Sequence, residues 1–503
     1  VNYKKTLKIA GICILVFIIG YVGLHFYAKY KISSALDDKV KKGELSYTDF
    51  NLNLWSRTVK FDSIHYQKKT MEVSATSFSL IDLSYSKFLF DKEIVIDEIN
   101  IQHPVIHYIN KKNEDSAKKS TKSKSGKPIL IKNVSVNDGR FTMRNDSIEL
   151  LSAEKFNLNA ENIAVDSISK QQKIPFTYKK FQFSVANLAY DLNKLQKLQL
   201  QKLSISEKNV NAFDLVLLPK LSRKEYVEVI PYEKDLMKLK VDSLAISNYN
   251  FTFQDETPVF KSPLMKLSGL DFNIYRDKTV KNDTRKKALY SKMLRELSLK
   301  LAIDSLQLSG ANITYEELIK KDRDPGKVVF ENLNAKIANV TNLDLDRENF
   351  PETNIDISTS FMGKSPLDVQ WNFRVNDTTD YFTIKGSSFS IPPPSINSFF
   401  KPAFNMRATG SGIEEVYFNF SGNSNQARGQ LKLVYDKFKV EVLQKDGKKK
   451  NTILSIAANL LVNKKPKNGS IAEHVEGVKR DKTKSFWNYF WSCLQAGLKK
   501  SLI

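Results

Sequence analysis

Residues 239–253 read LKVDSLAISNYNFTF. Numbered from Leu239, the stretch is apolar at places 1, 3, 6, 8, 13 and 15, with small or polar residues between. Five further stretches fit this template without a gap: VKFDSIHYQKKTMEV from Val59, IVIDEINIQHPVIHY from Ile94, ILIKNVSVNDGRFTM from Ile129, LQLQKLSISEKNVNA from Leu198 and LAIDSLQLSGANITY from Leu301. Places 1 and 3 share one parity and places 6 and 8 the other, so a regular strand would send them to opposite faces. A bulge at places 4 and 5 restores one face and adds bend and twist. Place 4 is Asp62, Asp97, Asp242 and Asp304 in four copies, a residue type depleted in regular strands. Places 9–12 read as a turn, most clearly in Asn137-Asp138-Gly139-Arg140 and Ser309-Gly310-Ala311-Asn312, where Asp-Gly and Gly supply positive φ. Each copy is therefore expected to be a bulged strand, a turn and a second strand.

Weaker half-copies lie between these, from Leu151, Met265 and Val328. One amphipathic helix is expected after Asp283, with Leu289, Tyr290, Met293, Leu294 and Leu297 on one side. Ile391-Pro392-Pro393-Pro394 reads as a stiff corner between β-like segments. The fold class is mainly β: a long, curled, repetitive sheet forming a groove, with a few amphipathic helices, preceded by an N-terminal transmembrane helix. The expected divisions are an anchor over 1–30, a stalk and first strand over 31–58, a repetitive groove body over 59–443, and basic loops with C-terminal amphipathic helices over 444–503. At 503 residues the chain can bury a sizeable core without staples, and the recurring pattern favours one long repetitive body.

The anchor rests on IAGICILVFIIGYVGLHFYA, residues 9–28, a mostly apolar run bounded by Lys8 and Lys29 and long enough to cross a bilayer core. A cleaved signal peptide would have a shorter apolar region and a small-residue site after it. Lys4, Lys5 and Lys8 before the run, against Lys29 and Lys31 after it, mildly favour a cytoplasmic N-terminus. Cys13 and Cys493 are far apart in sequence and do not suggest a disulfide, and Ile12 before Cys13 does not suit a lipoprotein site.

The formal net charge is +23. Nucleic acid would suit such a charge, but much of the excess sits in short loop-like runs at 118–127, 320–323, 445–450 and 464–467. Those runs read as solvated loops or as attraction to anionic headgroups, and no nucleic-acid partner is expected. No phosphate loop, nucleophile elbow or cysteine-rich metal spacing occurs. His103 and His107 would share a face of a regular strand, but Pro104 and the turn break it. The expectation is no catalytic site, no cofactor and no metal, and the place-4 aspartates are structural.

A bulged sheet that is apolar on one face must cover it, ordinarily with a second sheet or a layer of helices. Helices are scarce here. Either the strands cover one another in a sandwich or solenoid with a packed core, or the sheet curls without closing and acyl chains take the place of a partner layer. The face residues are Phe61, Ile64, Ile96, Ile99, Ile101, Ile131, Val134, Val136, Val241, Leu244, Ile246, Ile303, Leu306 and Leu308. At the C-terminus, SFWNYFWSCLQAGLKKSLI from Ser485 places Trp487, Phe490, Trp491, Leu494 and Leu498 on one side of a helix. That side suits a bilayer interface or a cap over the last strands.

The stretch GSGIEEVYFNFSGNSNQARGQLKLVYDKFKVEVL from Gly410 resembles the C-terminal part of the AsmA-like family. The resemblance is carried by Gly410, Gly412, Gly422, Gly429, Tyr435, Asp436, Phe438 and Val440, within a part at about 365–443. The repeats and the N-terminal run are also similar to that family. The resemblance implies a bacterial inner-membrane protein, single-pass, with its N-terminus cytoplasmic and its body in the periplasm. It further implies phospholipids as partners and a role in outer-membrane biogenesis and lipid homeostasis. Separately, the C-terminal helix is a place where other envelope proteins could be contacted. The alternative is a structural or partner-binding envelope protein with a closed core.

Overall fold

The computed structural model describes residues 21–444 and 472–502, apart from 23–24, 31, 35, 85–86, 92 and 111–126. Residues 9–20 of the expected anchor and most of the basic runs at 118–127 and 445–467 lie outside the described residues. No helix among the described residues is long and apolar enough to cross a membrane. The fold is mainly β, with 22 strands in a mixed sheet and two in a separate ladder among the described residues. The chain divides into two compact units, 1–191 with 201–207 and 192–200 with 208–503. That boundary falls inside the stretch the sequence reading treats as one body.

The first unit contains β1 (Leu45–Ser46), β2 (Asp49–Asn53), β3 (Thr58–Lys68), β4 (Met71–Leu83), β5 (Ile94–Gln102), β6 (Val105–Ile109), β7 (Ile129–Asn145), β8 (Ile148–Val165) and β9 (Lys180–Tyr190). Neighbours are antiparallel except where β5 and β6 run parallel to β7. Ala28, Ile32 and Leu36, from helical turns before β1, pack on Phe50, Leu52, Val59 and Phe61.

β10 (Gln196–Ser206) leads to β11 (Asn209–Pro219), β12 (Leu236–Ser247), β13 (Asn250–Gln254), β14 (Thr257–Asp277), β15 (Lys300–Leu318), β16 (Gly326–Thr341), β17 (Thr353–Phe361), β18 (Ser365–Phe373) and β19 (Phe382–Ile391). After these come β20 (Met406–Thr409), β21 (Gly412–Gly422), β22 (Gln426–Asp436), β23 (Lys439–Val442) and β24 (Glu473–Lys479). β14 and β15 pair in parallel, and β20 with β23 makes the separate ladder.

Among the described residues, the second unit holds the helices α1 (Arg223–Val229), α2 (Tyr290–Arg295), α3 (Pro393–Phe404) and α4 (Phe486–Leu502). α2 is shorter than the periodicity suggests. Asp283 accepts from the Arg285 backbone and guanidinium, a local arrangement that competes with helix, and Met293 and Leu297 stand exposed while Leu289 is buried. The proline run proves to be a helix start, with Pro393 at the first position of α3, where a missing N–H costs nothing.

Candidate apolar binding face

The template's irregularity is present, but not as an extra residue in one strand. Asp242 is skipped by both neighbours: Val241 and Ser243 pair with Leu215 and Phe213 on β11, and with Leu270 and Ser268 on β14. The register is the same on either side. The residues opposite Asp242 take positive φ instead, Asp214 at 51° and Gly269 at 64°. The same device recurs in other copies. Asn162 (φ 53°) stands opposite Lys132 in the copy from Ile129, and Asn339 (φ 59°) stands opposite Asp304 in the copy from Leu301.

The two places read as turns also differ from expectation. β7 runs unbroken for 17 residues through Asp138 (φ 51°), and β15 for 19 residues through Gly310 (φ 61°). Gly269 is needed twice over, because a Cβ there would lie 2.0 Å from the Asp242 carboxylate as well as taking a left-handed φ.

The expected outcome of the irregularity, one apolar face, can be traced through the ladders, since directly paired residues share a face. Leu239 pairs with Phe272, then Ile313, Phe330 and Phe361. Leu244 pairs with Leu267, then Leu308, Ala335 and Ile357. Phe361 and Ile357 are four apart on β17, which pairs with β18 without a shift, so they share a face. Leu239 and Leu244 therefore share it too, although five residues apart. In the first unit Phe61 and Ile64 belong to one apolar cluster, with Ser63 at φ 49° between them.

Two apolar rows cross the second unit. One continues from Ile357 to Val369, Gly386, Phe418 and Leu431. The other runs Ile246, Met265, Leu306, Ile337, Ile355, Trp371, Ile384 and Phe420. As far as β22, neither contains a charged residue. The alternate row on the opposite face, Lys266, Gln307, Lys336, Asp356, Gln370, Lys385 and Asn419, is polar throughout. α1 lies on that polar face, where Arg223 makes two hydrogen bonds to Glu316 at 3.0 and 2.7 Å.

Burial changes along each row. Phe420 and Leu431 are 0% exposed and Ile384 1%, whereas Leu244, Ile246, Met265, Leu267, Leu306 and Leu308 are half-buried. The closed end lies under α4, whose Phe486, Tyr489 and Cys493 are buried at helical spacing. Phe486 stacks on Trp371 at 4.4 Å. Gly497 lets the helix approach so closely that a Cβ there would sit 2.6 Å from Leu431. Phe490, Leu494 and Leu498 pack against the same core, Trp491 lies 6.1 Å from Phe399, and Trp487 is 50% exposed.

The first unit repeats the arrangement. Phe61, Phe78, Ile101, Val136, Leu158 and Phe183 form one row, and Val59, Leu80, Ile99, Val134, Ala160 and Phe181 another. Ile96 and Ile131 pair with each other and with Leu83 and Ile163. Among the expected face residues, Phe61, Ile96, Val136, Val241 and Ile303 are buried and the rest half-buried. Met265, Leu267, Ile337 and Ile357 join the face beyond the residues expected there; the alternation of the half-copies from Met265 and Val328 is the signal that marks the first three. His103 meets Thr76 Oγ1 at 3.3 Å and does not converge with His107 on a third ligand among the described residues.

No protein-family model, curated protein or solved structure matches this chain.

Proposed function

We propose that this chain is a membrane-anchored, non-catalytic protein of a bacterial envelope. On this reading its apolar face binds phospholipid acyl chains and conducts them between inner and outer membrane, as the AsmA-like resemblance implies. The observation that supports it most is the change of burial along single cross-strand rows, from close-packed under α4 to only partly buried beyond it. A contiguous apolar strip of this kind marks a binding surface. From β12 to β18 the half-buried row crosses five strand spacings, ~24 Å at ~4.8 Å each, against ~15 Å for one leaflet's acyl layer. An acyl chain laid there removes apolar surface from water while its headgroup stays hydrated.

A non-catalytic structural or partner-binding role with a closed core is the second reading, and the packed end under α4 favours it. A photoreactive phenylalanine analogue at Leu306, compared with one at Lys336 on the polar face, separates the two. Irradiation of cells should attach phospholipid at position 306 and not at 336. Absence of lipid adducts at both positions would remove the acyl-chain reading.

A further inference from the structure

We propose that one rim of the first unit is a membrane-docking edge that seats in the headgroup layer of an anionic bilayer. The inference is independent of whether the sheet face carries lipid. β3 begins, β4 ends, β5 and β7 begin, β8 ends and β9 begins at this rim, as Val59 with Leu80, Leu83 with Ile96, Ile94 with Ile129, Ile129 with Val165 and Glu161 with Lys180 show. Its connections carry Trp55 at 78%, Phe90 at 82% and Ile168 at 70% exposure, together with exposed Phe176 and Tyr178.

The last connection is held in shape. Ala164 and Thr177 exchange backbone hydrogen bonds at 2.9 and 2.8 Å. Asp166 accepts from the Ile168 and Ser169 amides at 2.9 and 2.6 Å, a local turn that presents Ile168 outward. This connection and the start of β9 hold Lys170, Lys173, Lys179 and Lys180 against Asp166 and Glu161, the latter 3.5 Å from Lys180. Aromatic and aliphatic side chains interleaved with lysines suit the boundary between headgroups and acyl chains. On the opposite rim, where β8 begins and β9 ends, exposed Ile148 and Tyr190 sit among mixed charges, Asp146, Glu149 and Asp191 with Lys68, Lys69 and Arg144.

The N-terminal helical turns point the same way. The Glu44 carbonyl accepts from the Gln67 amide at 2.8 Å, near the far end of β3, whereas Lys29 lies 5.8 Å over Phe50, which pairs with Phe61. Followed backward, the chain heads toward the rim that carries Trp55, with Phe26 and Tyr27 exposed. The sequence preceding them is the apolar run IAGICILVFIIG, residues 9–20, which is suited to a bilayer.

The test uses the full chain with Cys13→Ser, Cys493 being buried, reconstituted in phosphatidylglycerol and phosphatidylethanolamine vesicles. Single cysteines replace Trp55, Phe90, Ile168 or Phe176, with Ile148→Cys as the opposite-rim control, each carrying an environment-sensitive fluorophore. A nitroxide at headgroup depth should reduce emission about twofold at the four rim positions and leave position 148 unchanged. Replacing phosphatidylglycerol with phosphatidylcholine should weaken that effect. Rim labels as open to aqueous iodide as the label at 148 would overturn the proposal. So would rim shielding that depends on protein concentration and not on lipid, which would assign the rim to a second copy.

Discussion

Leu306 and Ile384 stand in one cross-strand row with three strands between them, and they should respond very differently to aspartate. Ile384 is 1% exposed. Ile384→Asp would lose about 2–5 kcal/mol of packing and bury an unpaired carboxylate at several kcal/mol more. That total is comparable with the ~5–15 kcal/mol that holds a typical domain. Leu306 is only partly buried, so Leu306→Asp forfeits most but not all of a leucine's burial, about 1–2 kcal/mol, while the carboxylate reaches water. Thermal unfolding of the two variants, beside Gln307→Asp on the polar face, is the assay. Gln307 pairs with Lys266 and Lys336 and makes a better control than Ser305, whose hydroxyl is buried without a partner. Leu306→Asp should lower the midpoint by a few degrees, at about 2–4 °C per kcal/mol for a unit this large, and Ile384→Asp should abolish the cooperative transition. Equal damage from both substitutions would show that the row is closed along its whole length and refute the reasoning.

Glu233 has a fully buried side chain held by Lys484 at 2.7 Å and Lys278 at 2.9 Å. Burial acts to raise its pKa, but the two lysines prevail and bring it from 4.5 to about 2. Its contribution, on the order of 3 kcal/mol, should therefore be present above about pH 4.5 and fade as pH falls toward about 2; urea unfolding of wild type and Glu233→Gln across that window should converge at the acid end. Gly269→Ala should cost about 1–3 kcal/mol from left-handed strain alone, with more from the Asp242 contact, read as a lowered urea midpoint. Burial pushes the Cys493 thiol up to about 12, so peptide mass spectrometry should find it unalkylated at neutral pH until denaturant is added. Phe486→Ala should destabilise by about 3–5 kcal/mol and make Cys493 reactive without denaturant.

The one-sided face was legible because the pleat leaves few ways to reconcile places 1 and 3 with places 6 and 8, and aspartate at place 4 marked where the strand departs from regularity. The form of the departure was not legible. Its positive-φ residues, Asp214, Gly269 and Asn339, lie on neighbouring strands, and pairing partners distant in sequence are invisible to a reading of one strand. The C-terminal helix shows a similar limit. Its stripe of largest side chains runs through Trp487 and Trp491, yet the buried side is Phe486, Tyr489, Cys493 and Gly497, because close approach to Leu431 rewards a missing side chain more than a large one. Whether a given rung is open or closed depends on that approach and not on the repeat, which is nearly the same in Leu244, Ile246, Leu306 and Leu308. Among the described residues α4 closes these rows together with Leu289 before α2 and Ile396 of α3, and removing α4 should expose more of each row without altering the template that builds it.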